Sequence, residues 1–130
     1  MKIYTKSGDD GETKLLYGDK VPKDSLAPEA YGSVDELVAS IGLIRAEKEL
    51  PIEVKETLLR IQRELFIVGA ELATTKENRT KLKAKKTLVD DAMVERIEKD
   101  IDYLEEKNGI PEFFVVPGEN IISAKFEWSR

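Results

Sequence analysis

The residues with most chemistry to offer stand near the start of the chain, in Thr5-Lys6-Ser7-Gly8-Asp9-Asp10-Gly11-Glu12-Thr13. Glycines at 8 and 11 let backbone N–H groups approach a phosphate closely. The hydroxyls of Thr5, Ser7 and Thr13 and the ammonium of Lys6 add donors, and Asp9 offers oxygens to Mg²⁺ or a ribose. By composition alone a plain polar loop is the better reading of the segment. Asp9-Asp10-Gly11 is not a calcium loop, because Gly8 and Lys6 occupy places where that loop needs oxygen ligands. The chain holds no His and no Cys. That removes Ser-His-Asp and Cys-His catalysis, thiolate and imidazole metal ligands, and disulfides. Any metal is a hard cation on oxygens, with a substrate phosphate sharing the coordination. Acid–base work falls to carboxylates, lysines or tyrosines.

Neither G-x-x-x-x-G-K-[ST] nor G-x-G-x-x-G occurs. Asp35 and Glu36 lie near the start of the first long helical pattern, where acids complement the positive end of a helix. Asp35 could instead orient a cation on another helix, and spacing leaves both readings open.

The elements that must position these residues are helical. Val34, Leu37, Val38, Ile41 and Ile44 recur at three- and four-residue steps and predict a helix from Pro28 or Glu29 to about Lys48. Leu58, Leu59, Ile61, Leu65, Phe66, Val68 and Leu72 predict a second from Ile52 to about Ala73, with Gly69 explained by close helix packing. Met93, Ile97, Ile101 and Leu104 predict a third over Val89–Lys107, stopped by Asn108-Gly109. A further helix starts near Glu119 or Asn120 and reaches Arg130 without a stop signal. Residues 1–28 read as irregular, with Leu15-Leu16-Tyr17 a short extended piece. Residues 74–88, where Lys76, Arg79, Lys81, Lys83, Lys85 and Lys86 face Glu77 alone, read as a mobile loop or an anion-attracting flap.

The expected fold class is all-α, an antiparallel helical bundle forming one domain over residues 1–130. A net charge of −5 and a pI near 5.0 argue against a general nucleic-acid binder. No apolar run reaches the ~18 residues of a membrane span, and Met1-Lys2-Ile3-Tyr4 lacks a signal-peptide core. A soluble, cytoplasmic protein is expected.

In order, the segments resemble one family. Tyr4-Thr5-Lys6-Ser7-Gly8-Asp9-Asp10-Gly11 resembles the nucleotide loop of PduO-type ATP:cob(I)alamin adenosyltransferases. Glu29-Ala30-Tyr31-Gly32-Ser33-Val34-Asp35-Glu36-Leu37 is similar to that family's first-helix signature. Ile61-Gln62-Arg63-Glu64-Leu65-Phe66 and Gly69-Ala70-Glu71-Leu72-Ala73 are similar to its second helix, and Phe113-Phe114-Val115-Val116-Pro117-Gly118 to the segment entering its fourth. The resemblance implies a five-helix, ferritin-like bundle that forms homotrimers with active sites between subunits. It implies transfer of the 5′-deoxyadenosyl group of ATP to the cobalt of cob(I)alamin, with release of triphosphate, the corrinoid supplying the nucleophile.

Carried over by residue, ATP is held by Thr5, Lys6, Ser7, Gly8, Asp9, Gly11, Thr13 and Lys23, with Mg²⁺ bound mainly through ATP. Phe114 closes the lower face of the corrin and favours four-coordinate cobalt. Asp35 and Arg130 form an interhelical ion pair at the corrin site; these three are the expected catalytic and corrinoid-binding residues. A flavin-dependent reductase and an adenosylcobalamin-dependent enzyme are the implied partners. Ile67, Val38, Ala27-Pro28 and Glu119 depart from the family pattern. So does the lack, after Arg130, of an Arg-Arg-Ala-Glu-Arg motif and a fifth helix, which reads as a missing C-terminal part. The alternative reading is a non-catalytic module that binds ATP or corrinoid.

Overall fold

In a computed structural model that describes Tyr4, Lys6 and residues 8–130, the apolar periodicities become four α-helices behind a small hairpin. The hairpin pairs β1 (Glu12–Lys14) with β2 (Lys20–Pro22) antiparallel, in the register Glu12↔Pro22, Thr13↔Val21, Lys14↔Lys20. The stretch expected to be irregular therefore contains strands, and Leu15-Leu16-Tyr17 lies in the turn between them. Three-residue strands are too short to show an alternating pattern, so the sequence carries no periodic sign of them.

The first helix, α1, spans Leu26–Arg45, two residues earlier than Pro28 and three short of Lys48. Pro28 falls inside its first turn, where the missing N–H would have no intrahelical partner. Glu29, in the same turn, complements the helix dipole. Helix α2 spans Ile52–Leu72 and begins directly after Pro51. The two run antiparallel: Tyr31 and Gly32 near the start of α1 face Gly69, Ala70 and Ala73 at the end of α2. Between them Ile41, Ile44, Leu50 and Leu58 form the core, flanked by Leu37, Val54, Ile61 and Leu65. Ile44 is fully buried. One polar side chain is built into this seam. Buried Gln62 donates to the Val38 carbonyl at 2.7 Å and accepts from Arg45 Nη1 at 2.6 Å, so both ends of its amide are satisfied.

Residues 74–88 have structure of their own. A 3-10 helix covers Lys76–Lys81, and a single bridge joins Ala84 to Leu88. Glu71 of α2 pins the segment at two places, pairing with Arg79 and accepting the Val89 N–H at 2.8 Å. Helix α3 (Asp91–Asn108) is capped by Asp90, whose side chain accepts from the Met93 N–H at 3.0 Å, and is ended by Gly109 at φ 72. Ion pairs hold it to α2: nearly buried Glu64 accepts from Arg60 at 2.8 Å and from Arg96 at 2.8 and 3.0 Å, and Arg60 also reaches Asp100. The rest of α3 presents Val94, Ile97, Ile101 and Leu104 to solvent.

Helix α4 (Ile121–Ser129), capped by Asn120, packs on α1. Ile122 reaches the core, Lys125 pairs with Glu47, and Trp128 stays exposed. Gly69 does not serve close packing. A Cβ there, or at Gly32, would meet no atom within 4 Å, and both glycines face an open groove. The bundle is mostly helical, as expected.

Candidate functional site

Two concave features stand out, one at the hairpin and one between α1 and α2. The first, about 230 Å³, is lined by Gly8, Glu12, Thr13, Lys14, Lys20 and Lys23, so the hairpin supplies most of its wall. Gly11 at φ 80 makes the bend that returns the chain, and its carbonyl accepts the Lys23 N–H at 2.8 Å. The Gly11 N–H in turn donates to the Gly8 carbonyl at 3.3 Å. Space is what favours glycine at position 8: a Cβ there would lie 3.1 Å from both Cε and Nζ of Lys23 and 3.2 Å from the Glu12 carbonyl oxygen. The lysine tip thus rests against bare backbone.

The register puts Lys14 directly opposite Lys20. Like charges facing across a strand pair are destabilising. Glu12 offsets part of this through its 3.0 Å pair with Lys20. With Lys23 beside them, three lysines and one glutamate line a small open cavity. Such a cavity is complementary to a polyanion.

The second feature is a groove of about 430 Å³ between α1 and α2, lined by Tyr31, Val34, Val38, Leu65 and Phe66 around the two glycines, with Ala70 and Ala73. It is apolar apart from Asp35 and the Tyr31 hydroxyl. A shallow, apolar groove with one carboxylate suits a large, flat, partly apolar ligand.

Of the residues singled out from sequence, Gly8, Thr13 and Lys23 line the cavity and Gly11 shapes it. Lys6 and Asp9 are exposed beside it, with the Asp9 N–H donating to the Lys6 carbonyl at 3.3 Å. Thr5 and Ser7 lie outside the described residues. Asp35 stands in the groove. Phe114 is fully exposed on the connection between α3 and α4. Arg130 pairs with Glu127 at 3.4 Å, and Asp35 makes no ion pair among the described residues. Lys14 and Lys20 escaped the sequence reading, because their convergence depends on a hairpin register that leaves no local signal. Among the described residues no three His, Cys, Asp or Glu side chains cluster as a metal site.

A family model for cobalamin adenosyltransferase matches residues 3–130. A corrinoid adenosyltransferase of Citrobacter freundii is 36% identical over 129 residues, covering 99% of this chain and 71% of that protein. A corrinoid adenosyltransferase of Bacillus subtilis (strain 168) is 45% identical over 86 residues, covering 61% of this chain and 42% of that protein. A variant PduO-type ATP:corrinoid adenosyltransferase from Lactobacillus reuteri, complexed with cobalamin and ATP, superposes with a TM-score of 0.85 at 26% identity, covering 98% of this chain and 68% of that one. A further variant of that enzyme, complexed with ATP, gives 0.80 at 27% identity over 98% of this chain and 69% of that one.

Proposed function

The chain belongs to the cobalamin adenosyltransferase family, and from that premise we propose that it transfers the 5′-deoxyadenosyl group of ATP to the cobalt of cob(I)alamin. In the reaction the cobalt electron pair forms a Co–C bond at the 5′ carbon. The bond from that carbon to the triphosphate oxygen breaks, and triphosphate leaves with its electrons. The protein supplies no nucleophile, in keeping with a chain without His or Cys. Its work is alignment of the two substrates and stabilisation of the departing charge.

The observation that carries this reading is the hairpin cavity, where Lys14, Lys20 and Lys23 converge over a glycine floor. Their ammonium groups suit the triphosphate as negative charge builds on it, with Thr5, Lys6, Ser7 and Thr13 as further donors. Glu12, the carboxylate that lines this cavity, is engaged by Lys20. Mg²⁺ would therefore be held mainly by the phosphates, where it adds charge neutralisation. The groove with Asp35 takes the corrinoid, and Phe114 and Arg130 close the corrin site.

Phe114 is exposed and Arg130 pairs locally within a single chain, which favours a homotrimer with sites completed between subunits. The same observation keeps a second reading in play, a module that binds ATP or corrinoid without transfer. A flavin-dependent reductase that delivers the electron to cob(II)alamin and an enzyme that consumes adenosylcobalamin are the fitting partners. No helix among the described residues is long and apolar enough to cross a membrane, and a cytoplasmic setting suits ATP as substrate.

The test is the assay of the full chain with ATP, Mg²⁺ and chemically reduced cobalamin. Formation of the light-sensitive Co–C product with stoichiometric triphosphate is expected. ATP or corrinoid binding without product would favour the second reading, and binding of neither would overturn both.

A further inference from the structure

The hairpin carries the lysines of the cavity, yet its strands pair over only three residues each. A two-stranded ribbon of that size does not hold itself in water. Its position must come from outside, and the contacts that supply it gather at the turn. The Leu16 N–H donates to the Ala73 carbonyl at 2.9 Å, and the Tyr17 hydroxyl donates to the Lys81 carbonyl at 2.9 Å. Leu15 is buried beneath.

The charged member of the set is Asp19. Its Oδ2 accepts from Thr75 Oγ1 at 3.1 Å and from Asn78 Nδ2. Asn78 also donates to Thr75 Oγ1 at 3.2 Å, so the two donors are held as a pair. The Asp19 carbonyl meanwhile accepts the Leu15 N–H at 2.8 Å and closes the turn. Lys20, the next residue, opens β2, and Lys23 follows that strand.

We infer that Asp19 is a positioning residue for the nucleotide: it clamps the hairpin to the 3-10 helix after α2 and so sets Lys20 and Lys23 against the phosphates. The inference rests on the adenosyl-transfer reading above. Electrostatics alone give the opposite sign. A carboxylate beside a phosphate site repels the ligand, so an Asp19 that acted only through charge would weaken ATP binding, and its removal would tighten it.

The sign therefore decides. Asp19→Ala in the full chain is expected to raise KM for ATP about tenfold, the scale of a lost charge-assisted hydrogen bond. KM for the corrinoid stays within about twofold, because those contacts are made elsewhere, while kcat falls only as far as the displaced lysines weaken charge stabilisation at the departing triphosphate. Thr75→Val with Asn78→Ala, which keeps the charge and removes its partners, raises KM for ATP likewise, and adding Asp19→Ala to that pair brings little more. Asp19→Asn, which retains an acceptor, loses less. Hydrogen exchange of the amides of residues 12–14, 20 and 21 quickens in Asp19→Ala while that of α2 does not.

An unchanged or lower KM for ATP, or a uniform fall in all parameters together with the melting temperature, overturns the inference. If the wild-type chain transfers no adenosyl group, the functional reading fails by itself. The clamp is then judged on hairpin exchange, and unaltered exchange in Asp19→Ala overturns it.

Discussion

In the hairpin cavity a lysine tip rests against a glycine, so a change in either partner bears on the other. Lys23→Met, which keeps the length and loses the charge, is expected to raise KM for ATP by about 10- to 100-fold, the range for a charged hydrogen bond to phosphate. Steady-state kinetics at fixed corrinoid checks this. Gly8→Ala places a methyl 3.1 Å from the lysine end. The lysine end is flexible and can swing away, but the Glu12 carbonyl oxygen at 3.2 Å is backbone, so the loop gives slightly as the ammonium is displaced, with a smaller rise in the same constant. Gly8, Thr13 and Lys23 could be read from sequence because they belong to an ordered run of motifs. Lys14 and Lys20 could not, since nothing in a list of residues says that positions 14 and 20 face each other. For Phe114 the resemblance implies a place against the corrin rather than in the core. The structure leaves its ring in solvent, so the core gains nothing from it.

Among the elements, the connection from α2 to α3 departs most from its expectation. A basic, polar run is expected to be a mobile loop or an anion-attracting flap. It is tied down by acids distant in sequence, Glu71 to Arg79 and Val89, and Asp19 to Thr75 and Asn78. Local pattern cannot reveal anchors of that kind, whereas the 3.6-residue repeat made α1, α2 and α3 readable to within a few residues at each end. The Val89 N–H holds the Glu71 carboxyl below the ordinary glutamate range, with Arg79 adding to it and burial opposing it. A group whose folded pKa is depressed stabilises the fold above its unfolded pKa and stops doing so as the pH falls through the folded value. Glu71→Gln is therefore expected to lower stability at pH 7 by about 1 kcal/mol, the worth of one hydrogen bond. The gap between variant and wild type narrows as the pH drops below the ordinary glutamate range. Urea midpoints at neutral and acidic pH measure both effects, and a gap that widens in acid would reverse the assignment.

Taken entire, the chain encloses a small core between α1 and α2 and leaves much apolar surface uncovered. Val94, Ile97, Ile101 and Leu104 line α3, and Ile110 and Phe113 to Val116 continue along the next connection. Contiguous exposed apolar patches mark association surfaces. The bundle class was readable from sequence because helical periodicity reports which side of a helix is apolar. Which apolar sides meet another copy is a different question, for the same periodicity serves an internal and an external partner alike. Self-association at micromolar concentration is expected, with a trimeric mass by sedimentation. The only tryptophan, Trp128, sits exposed on α4 at 73% of its full accessible area. It turns the chain into its own optical reporter. A wet indole emits at long wavelength, and one covered by a neighbour shifts towards the blue. Its spectrum followed through a dilution series, without any dye, tells whether α4 is part of what assembles.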